Sequence, residues 1–206
     1  MNQIALPFDW PAPEDAESFI VTAANRDAVA QLDSPARWPV LTAILTGPRK
    51  SGRSLLGRIF AAKTGGTLVD DAELHREADL FHRWNAAQEA RRPLLIIAQA
   101  PPPLWKVRLP DLASRLSATP VFTISEPDDI LAAMLLEKQL GQRGLSVPPE
   151  VLTYIVSRIE RSYLALMRVI DALDTAALSQ QRAVTVKLAS AVLAGLHMID
   201  DVHQSA

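Results

Sequence analysis

The sequence predicts an α/β fold with a small parallel sheet, followed by a part made only of helices. Short apolar runs alternate with helical stretches as far as about residue 126, as in a parallel sheet whose strands are buried on both faces. Beyond Glu126 no stretch has a strand-like pattern. We therefore predict an extended tail at 1–17, an α/β base at 18–126 and a helical part at 127–206.

The strands of the base are predicted from their apolar character and the helices from the residues that end them. VLTAILTG ends in glycine, as a buried strand before a tight turn does, and Gly65-Gly66 stops the helix that follows it. In order, the predicted elements are a strand at 18–22, a helix at 25–32, a strand at 40–47, a helix at 51–63, a strand at 67–71, a helix at 72–90, a strand at 93–99, a short helix at 109–116 and a strand at 119–125.

Proline and capping residues divide the C-terminal part into helices. The stretch LSVPPEVL is typical of a helix with proline in its first turn. Four helices are predicted, at 128–141, 149–159, 162–178 and 185–197.

Composition excludes several classes of function. The chain of 206 residues has no cysteine, which rules out disulfide and thiolate chemistry, and its four histidines form no ligand motif. A net charge of −2 argues against a DNA-binding surface of its own, because phosphate contacts need clustered Lys and Arg. No apolar run spans a membrane and no signal peptide is apparent, so a cytoplasmic protein is expected.

The stretch ILTGPRKSGRSLLGRIF, residues 44–60, has the spacing of a phosphate-binding loop. Gly47 and Gly52 fit a turn that aims backbone N–H groups at phosphate oxygens, and Ser54 fits a ligand of Mg²⁺. Arg53 stands where a lysine is usual, and it keeps the positive charge on a bulkier, planar group. Diphosphate binding with slow turnover is expected; the alternative is an ordinary strand-to-helix turn with two glycines.

The segment LVDD supplies acidic groups that fit the same site. We expect Asp70 to lie at the end of a strand beside the phosphate-loop strand and to hold Mg²⁺ through water. Asp71 occupies the position of a carboxylate that activates water. The alternative is that the two acids only cap the next helix.

The order of these motifs resembles the Hda family, whose members are regulators related to the AAA+ domain of the replication initiator DnaA. The resemblance covers nearly the whole chain. It rests on QIALPF near the start, G-x-x-x-x-G-R-S, LVDD, a strand followed by prolines, LPDLASRL, and RIERSYLALMRVIDALD at 158–174. It implies an AAA+ P-loop base with a reduced sheet, an all-helical lid, and negative regulation of chromosomal replication initiation.

In the family, a short N-terminal peptide binds the DNA polymerase sliding clamp (its beta subunit). The form Q-x-x-L-x-[LF] is matched by Gln3, Ile4, Leu6, Pro7 and Phe8. Leu6 and Phe8 would be the apolar anchors and Gln3 a polar latch. The alternative is that these side chains fold back on the body of the protein.

Arg115 in LASRL matches the family's arginine finger, which acts in trans on the γ-phosphate of ATP bound to DnaA. The alternative is that Arg115 pairs with Asp111, one helical turn earlier. The resemblance also implies a homodimer, and contact with DNA only through partners.

The chain departs from the family at three places. Leu164 stands where the lid helix usually carries a sensor arginine, which Arg161 or Arg168 would have to replace, and Gln99 stands where an acidic sensor residue is usual. The strand and helix that normally precede LVDD are missing, so a sheet of four main strands is expected.

The resemblance implies ADP, or ATP, with Mg²⁺ as the ligand, and it places Asn25 near the adenine. Because of the departures, two other functions stay open. One is a self-contained slow P-loop ATPase, and the other is a nucleotide-free adaptor between clamp and DnaA.

Overall fold

The computed structural model describes residues 19–180 and 183–203. The predicted tail at 1–17, with its clamp-binding peptide, therefore lies outside the described residues. The elements are, in chain order, α1 (Arg26–Leu32), β1 (Thr42–Thr46), α2 (Arg53–Thr64), β2 (Thr67–Val69), α3 (Glu77–Glu89), β3 (Leu94–Ile97), α4 (Pro110–Ser117), β4 (Val121–Thr123), α5 (Asp129–Gln142), α6 (Pro149–Val156), α7 (Tyr163–Gln180) and α8 (Val186–His203), with 3-10 turns at Pro35–Arg37 and Ala72–Leu74.

Among the described residues the sheet has four parallel strands in the order β2-β3-β1-β4, which confirms the predicted reduced sheet. The two central strands are buried throughout and mostly apolar, since helices cover both faces. Ile96 pairs with Ile44 of β1 on one side and with Val69 of β2 on the other. The expectation that the strand before Asp70 lies beside the phosphate-loop strand is therefore wrong: β3 separates them, because sequence order does not fix strand order.

Two local predictions in the base are also wrong. The segment 18–22 is no strand in its described part, since the Asn25 side chain binds it: Asn25 Nδ2 donates to the Ile20 carbonyl at 2.9 Å, and Asn25 Oδ1 accepts from the Thr22 N–H at 3.0 Å. The predicted helix at 72–90 begins instead at Glu77. Asp71 has a left-handed backbone with φ of 46°, which starts a separate 3-10 turn.

The four predicted helices of the C-terminal part are confirmed as α5 to α8. They enclose one apolar cluster, at whose centre Leu136, Ile155, Leu166 and Leu173 are fully buried. The Asp128 carboxylate caps α5 by accepting the Leu131 N–H at 2.7 Å. None of the described helices combines the length and the apolar character needed to cross a bilayer.

Tyr163, the first residue of α7, joins the helical part to the base. Its side chain packs in the apolar cluster of the base, and its hydroxyl donates to the Ser125 carbonyl just after β4, at 3.1 Å. Nearby, Arg161 and Asp129 form an exposed ion pair at 3.0 Å. The start of the helical part is thus fixed to the sheet by contacts within the chain.

Candidate functional site

The predicted phosphate loop connects β1 to α2, and its backbone requires glycine at two positions. Gly52, just before α2, has a left-handed φ of 85°. A Cβ atom at Gly47 would lie 2.9 Å from the carbonyl oxygen of Ile124, so only glycine fits there. Ser54 is the second residue of α2 and lies at the end where helix N–H groups are free for an anion.

Ser51 within this loop is a buried polar residue without a partner. Its side chain is 6% exposed, and its Oγ atom has no hydrogen-bond partner in the described part of the chain. Buried hydroxyl groups are normally paired. An unpaired one inside a glycine turn fits a loop built to surround a polar ligand such as a nucleotide phosphate.

Arg53 is turned toward the sheet. Its Nη1 atom donates to the Ala98 carbonyl, just after β3, at 2.6 Å. The side chain is half-buried between the start of α2 and the carboxyl edge of the sheet. A ligand that recruits this guanidinium must compete with the Ala98 carbonyl.

The acidic residues after β2 take different positions. Asp70 is half-buried, and its Oδ1 accepts the N–H of Asp71 at 2.9 Å, whereas Asp71 is exposed. Glu73, which no sequence motif singles out, reaches across the sheet edge and accepts the N–H of Gln99. The only sequence signal for Glu73 was a third acid in the run VDDAE.

Mg²⁺ would need ligands from the nucleotide in this region. Within residues 19–180 and 183–203, no group of three His, Asp or Glu side chains is placed to hold a metal ion. A hydroxyl and a single carboxylate, those of Ser54 and Asp70, fit a magnesium ion that keeps most of its ligands from phosphate and water.

The segment before α1 covers the phosphate loop. A Cβ atom at Gly52 would lie 3.1 Å from Cε2 of Phe19, so the Phe19 ring packs against the loop. Asn25 is 3% exposed, and both ends of its amide are bound within the segment. Asn25 therefore shapes the segment that borders the loop, and Phe19 is the side chain that touches it.

Arg115 lies on α4, half-buried against α3. Its Nε donates to Asn85 Oδ1 at 2.9 Å, and its guanidinium carbon lies 4.4 Å from the centroid of Phe81 and 5.3 Å from that of Trp84. The contact with Asp111 is made to its backbone carbonyl, at 3.2 Å, rather than to its carboxylate. The three α3 residues were missed, although their i, i+3, i+4 spacing marks one helix face.

Glu77, the first residue of α3, binds the backbone just before α4. Its carboxylate accepts the N–H groups of Arg108 and Leu109, with distances of 2.9 Å to Arg108 and 2.6 Å to Leu109. These hydrogen bonds hold the pKa of Glu77 below its usual value of 4.5. α3 thus contacts both the backbone before α4 and the arginine on it.

Leu164 on α7 is 45% exposed, and it offers no cation to a ligand. Of the two arginines nearest to it along the chain, Arg161 is paired with Asp129, and Arg168 lies on the exposed side of α7.

Comparison with known proteins gives a match to one family model. Residues 129–193 match the family described as Hda, lid domain. A protein of Haemophilus influenzae, described as uncharacterized, is 31% identical over 115 residues, which make up 56% of this chain and 49% of that protein. The match thus spans about half the length of that relative.

Solved structures show the same fold. Domain III of the replication initiation protein DnaA of Thermotoga maritima matches with a TM-score of 0.70 and 16% identity, over 87% of this chain and 95% of that chain. A replication initiator DnaA bound to AMPPCP and single-stranded DNA matches with a TM-score of 0.62 and 14% identity, over 81% and 67% of the two chains. The predicted AAA+ base with a helical lid is confirmed.

Proposed function

We propose that this chain, an Hda-like AAA+ protein related to DnaA, is a negative regulator of chromosomal replication initiation. In this proposal it binds the DNA-loaded sliding clamp and promotes hydrolysis of the ATP bound to DnaA. The observation that carries the proposal is the match of residues 129–193 to the lid domain of Hda. The DnaA-like base in the same chain supports it.

Arg115 is the residue that we propose to act on the ATP of DnaA. The guanidinium is always charged, and a trans-acting arginine stabilises the charge on a transferring γ-phosphoryl group. In the described structure its partners are neutral groups of Asn85, Asp111 and two aromatic rings. An anion brought to this surface would therefore not have to displace a carboxylate.

The clamp contact is assigned to the tail, with Gln3, Ile4, Leu6, Pro7 and Phe8 as its peptide. A peptide of this kind buries a few apolar side chains in a pocket and gains affinity from avidity when a second contact is made nearby. The tail at 1–17 would deliver the base, and Arg115 with it, to DnaA near newly loaded clamps. A homodimer and contact with DNA only through partners belong to the same proposal.

ADP with Mg²⁺ is the proposed resident ligand of the chain's own loop. Gly47, Gly52 and Ser54 would surround and bind its phosphates, and Asp70 would hold the metal through water. Asn25 would border the adenine by shaping the segment at 20–25. Arg53 would bind the diphosphate after leaving the Ala98 carbonyl. Asp71, which is exposed, would be the carboxylate that activates water if the chain acted as a slow ATPase.

A nucleotide-free adaptor is the second candidate, and a specific observation favours it. Arg53 is bound to the Ala98 carbonyl and both ends of the Asn25 amide are used within the chain, so two expected ligand contacts already have partners. Denaturing the purified protein and assaying for released ADP separates the two candidates. Release of stoichiometric ADP supports a resident nucleotide, and its absence supports the adaptor.

The main test uses DnaA loaded with labelled ATP, the sliding clamp on DNA, and the full chain. We expect conversion of ATP to ADP on DnaA only when all the components are present, and no hydrolysis by the chain alone. Conversion that does not depend on the clamp, or a chain that hydrolyses ATP by itself, would contradict the proposal.

A further inference from the structure

One peptide group at the end of β3 is held at both ends by side chains of opposite charge. Arg53 Nη1 donates to the carbonyl of Ala98, and the N–H of Gln99 donates to the Glu73 carboxylate. The peptide dipole points its negative end at the cation and its positive end at the anion. Each hydrogen bond polarises the group in the sense that strengthens the other.

This peptide group lies where a buried strand becomes an exposed connection. Ala98 is 1% exposed and Gln99 is exposed, and the connection runs from residue 99 to residue 109. At its far end the N–H groups of Arg108 and Leu109 donate to Glu77, and α4 begins one residue later. The connection is therefore hydrogen-bonded at one end to the Glu73 carboxylate and at the other end to the Glu77 carboxylate.

The chain from Glu73 through α3 also contacts Arg115. Glu73 lies in the 3-10 turn before α3, Glu77 is the first residue of α3, and Asn85 on α3 accepts a hydrogen bond from Arg115. Arg53 is thus connected to Arg115 through the Ala98–Gln99 peptide group, Glu73 and α3 as far as Asn85. Three hydrogen bonds, at Ala98, Gln99 and Asn85, are joined in that path by the chain from residue 73 to residue 85.

We propose that Glu73 and Arg53 are positioning residues that couple the phosphate loop to the arginine-bearing helix α4. The coupling rests on the proposed function, because it assigns a regulatory role to the loop's own ligand. When Arg53 turns to a phosphate, the Ala98–Gln99 peptide loses its cation, its bond to Glu73 weakens, and the connection at 99–109 relaxes. The placement of Arg115 then depends on whether the loop is occupied.

A static role for Glu73 makes a different prediction. If Glu73 only caps the end of β3, its bond to Gln99 does not depend on Arg53, which touches the other end of the peptide group. Removing Arg53 would then leave the Gln99 N–H unchanged. If the two hydrogen bonds strengthen each other, amide exchange at Gln99 must change in Arg53→Ala, although this substitution removes no contact of the Gln99 N–H itself.

The first experiment measures residue-resolved amide exchange on the full chain without ligand, in Arg53→Ala and Glu73→Ala. We expect exchange at Gln99 to rise at least about threefold in both variants, with smaller rises at Arg108 and Leu109. The matched control is Glu89→Ala, which removes an exposed glutamate from the end of α3. Unchanged exchange in β1 and β3 shows that the fold is kept.

The second experiment adds Mg·ADP to wild type and to Glu73→Ala, with binding followed by calorimetry. We expect ADP to speed exchange at Gln99, Arg108 and Leu109 in wild type, and to have no such effect in Glu73→Ala. Glu73→Gln, which keeps an acceptor without the charge, should respond partly.

The inference is overturned if Arg53→Ala leaves Gln99 exchange as in wild type, or if Gln99 responds while Arg108 and Leu109 do not. If calorimetry detects no ADP binding, the nucleotide part of the proposed function fails, and the ligand-free experiment alone decides the coupling. The two failures are thereby distinguishable.

Discussion

The Nε atom of Arg115 donates a hydrogen bond to Oδ1 of Asn85 at 2.9 Å, and this contact holds a cation of α4 against one face of α3. The guanidinium carbon lies 4.4 Å from the centroid of the Phe81 ring, within the range of a cation–π interaction. The groups that Arg115 contacts in the described part of the chain are neutral. The arginine is therefore placed by the fold without having its charge cancelled.

If Arg115 is the trans-acting arginine, Arg115→Ala is expected to reduce the stimulation of ATP hydrolysis on DnaA by roughly 10³-fold or more. The fold should persist at a cost of about 1–3 kcal/mol, since a half-buried packing contact and two hydrogen bonds are lost. Arg37→Ala, at an exposed arginine in a 3-10 turn, is the control. Labelled nucleotide on DnaA and thermal unfolding measure the two effects, and an active Arg115→Ala protein would exclude the assignment.

Asn85→Asp tests whether a neutral partner matters. A carboxylate at this position would pair with Arg115 at hydrogen-bond distance and hold its guanidinium against α3. We expect slightly higher stability, by about 0.5–1 kcal/mol, because the site is half exposed. Stimulation of hydrolysis on DnaA should fall by about two- to fivefold, the factor that corresponds to breaking a pair worth about 0.5–1 kcal/mol. Stimulation equal to wild type would show that Arg115 does not need to leave Asn85.

The elements that the sequence predicts well are those decided by local pattern. The apolar runs of β1 and β3, the glycine that ends α2 and the proline and aspartate that start the lid helices all carry their own signal. The predicted strand at 18–22 fails because one buried side chain, Asn25, satisfies the backbone in place of a neighbouring strand.

The parts of the site that were missed are contacts between distant segments. Glu73 meets Gln99 across 26 positions of sequence, and Arg115 meets Asn85 across 30. Strand order has the same character, since β3 enters between β1 and β2 although it follows both in the chain. Periodicity and propensity describe neighbours in sequence, so they hold no information on these pairs.

Gly52→Ala is expected to disrupt the phosphate loop. The residue has a left-handed φ of 85°, and a Cβ atom would lie 3.1 Å from the Phe19 ring. We expect a loss of about 1–2 kcal/mol of stability and at least about tenfold weaker ADP binding by calorimetry. The control is Gly141→Ala, in α5, where a Cβ atom meets nothing within 4 Å and alanine should stabilise the helix by roughly 0.5–1 kcal/mol. Equal ADP affinity in both variants would argue against a nucleotide in the loop.

The paired substitution Leu6→Ala and Phe8→Ala is expected to weaken binding to the sliding clamp at least about tenfold, since apolar anchors supply most of the energy of such a peptide. Clamp binding is measured by surface plasmon resonance with the full chain. Pro11→Ala with Pro13→Ala changes the same tail outside the motif and should bind as wild type. If Leu6→Ala with Phe8→Ala bound the clamp as tightly as wild type, the tail would not be the clamp contact.

Tyr163→Phe tests the junction between the sheet and the lid through its dependence on pH. Burial of the hydroxyl, with the negative charges of Glu126 and Asp128 adding to it, raises the pKa of Tyr163 from 10.0 to about 12. A raised pKa means that the folded state holds the proton more tightly than the unfolded state. The stability due to this group is therefore complete below pH 10 and is lost as the pH rises toward 12.

We expect the wild-type free energy of unfolding to fall between pH 10 and pH 12 by up to ~3 kcal/mol more than that of Tyr163→Phe, from the two pKa values. At neutral pH the variant should be less stable by about 1 kcal/mol, because the Ser125 carbonyl loses its donor. Urea unfolding followed across this pH range measures both effects. Tyr154→Phe, at a half-buried tyrosine on α6, is the matched control. If wild type and Tyr163→Phe lost stability in parallel above pH 10, the hydroxyl of Tyr163 would not be the group that ties the lid to the sheet.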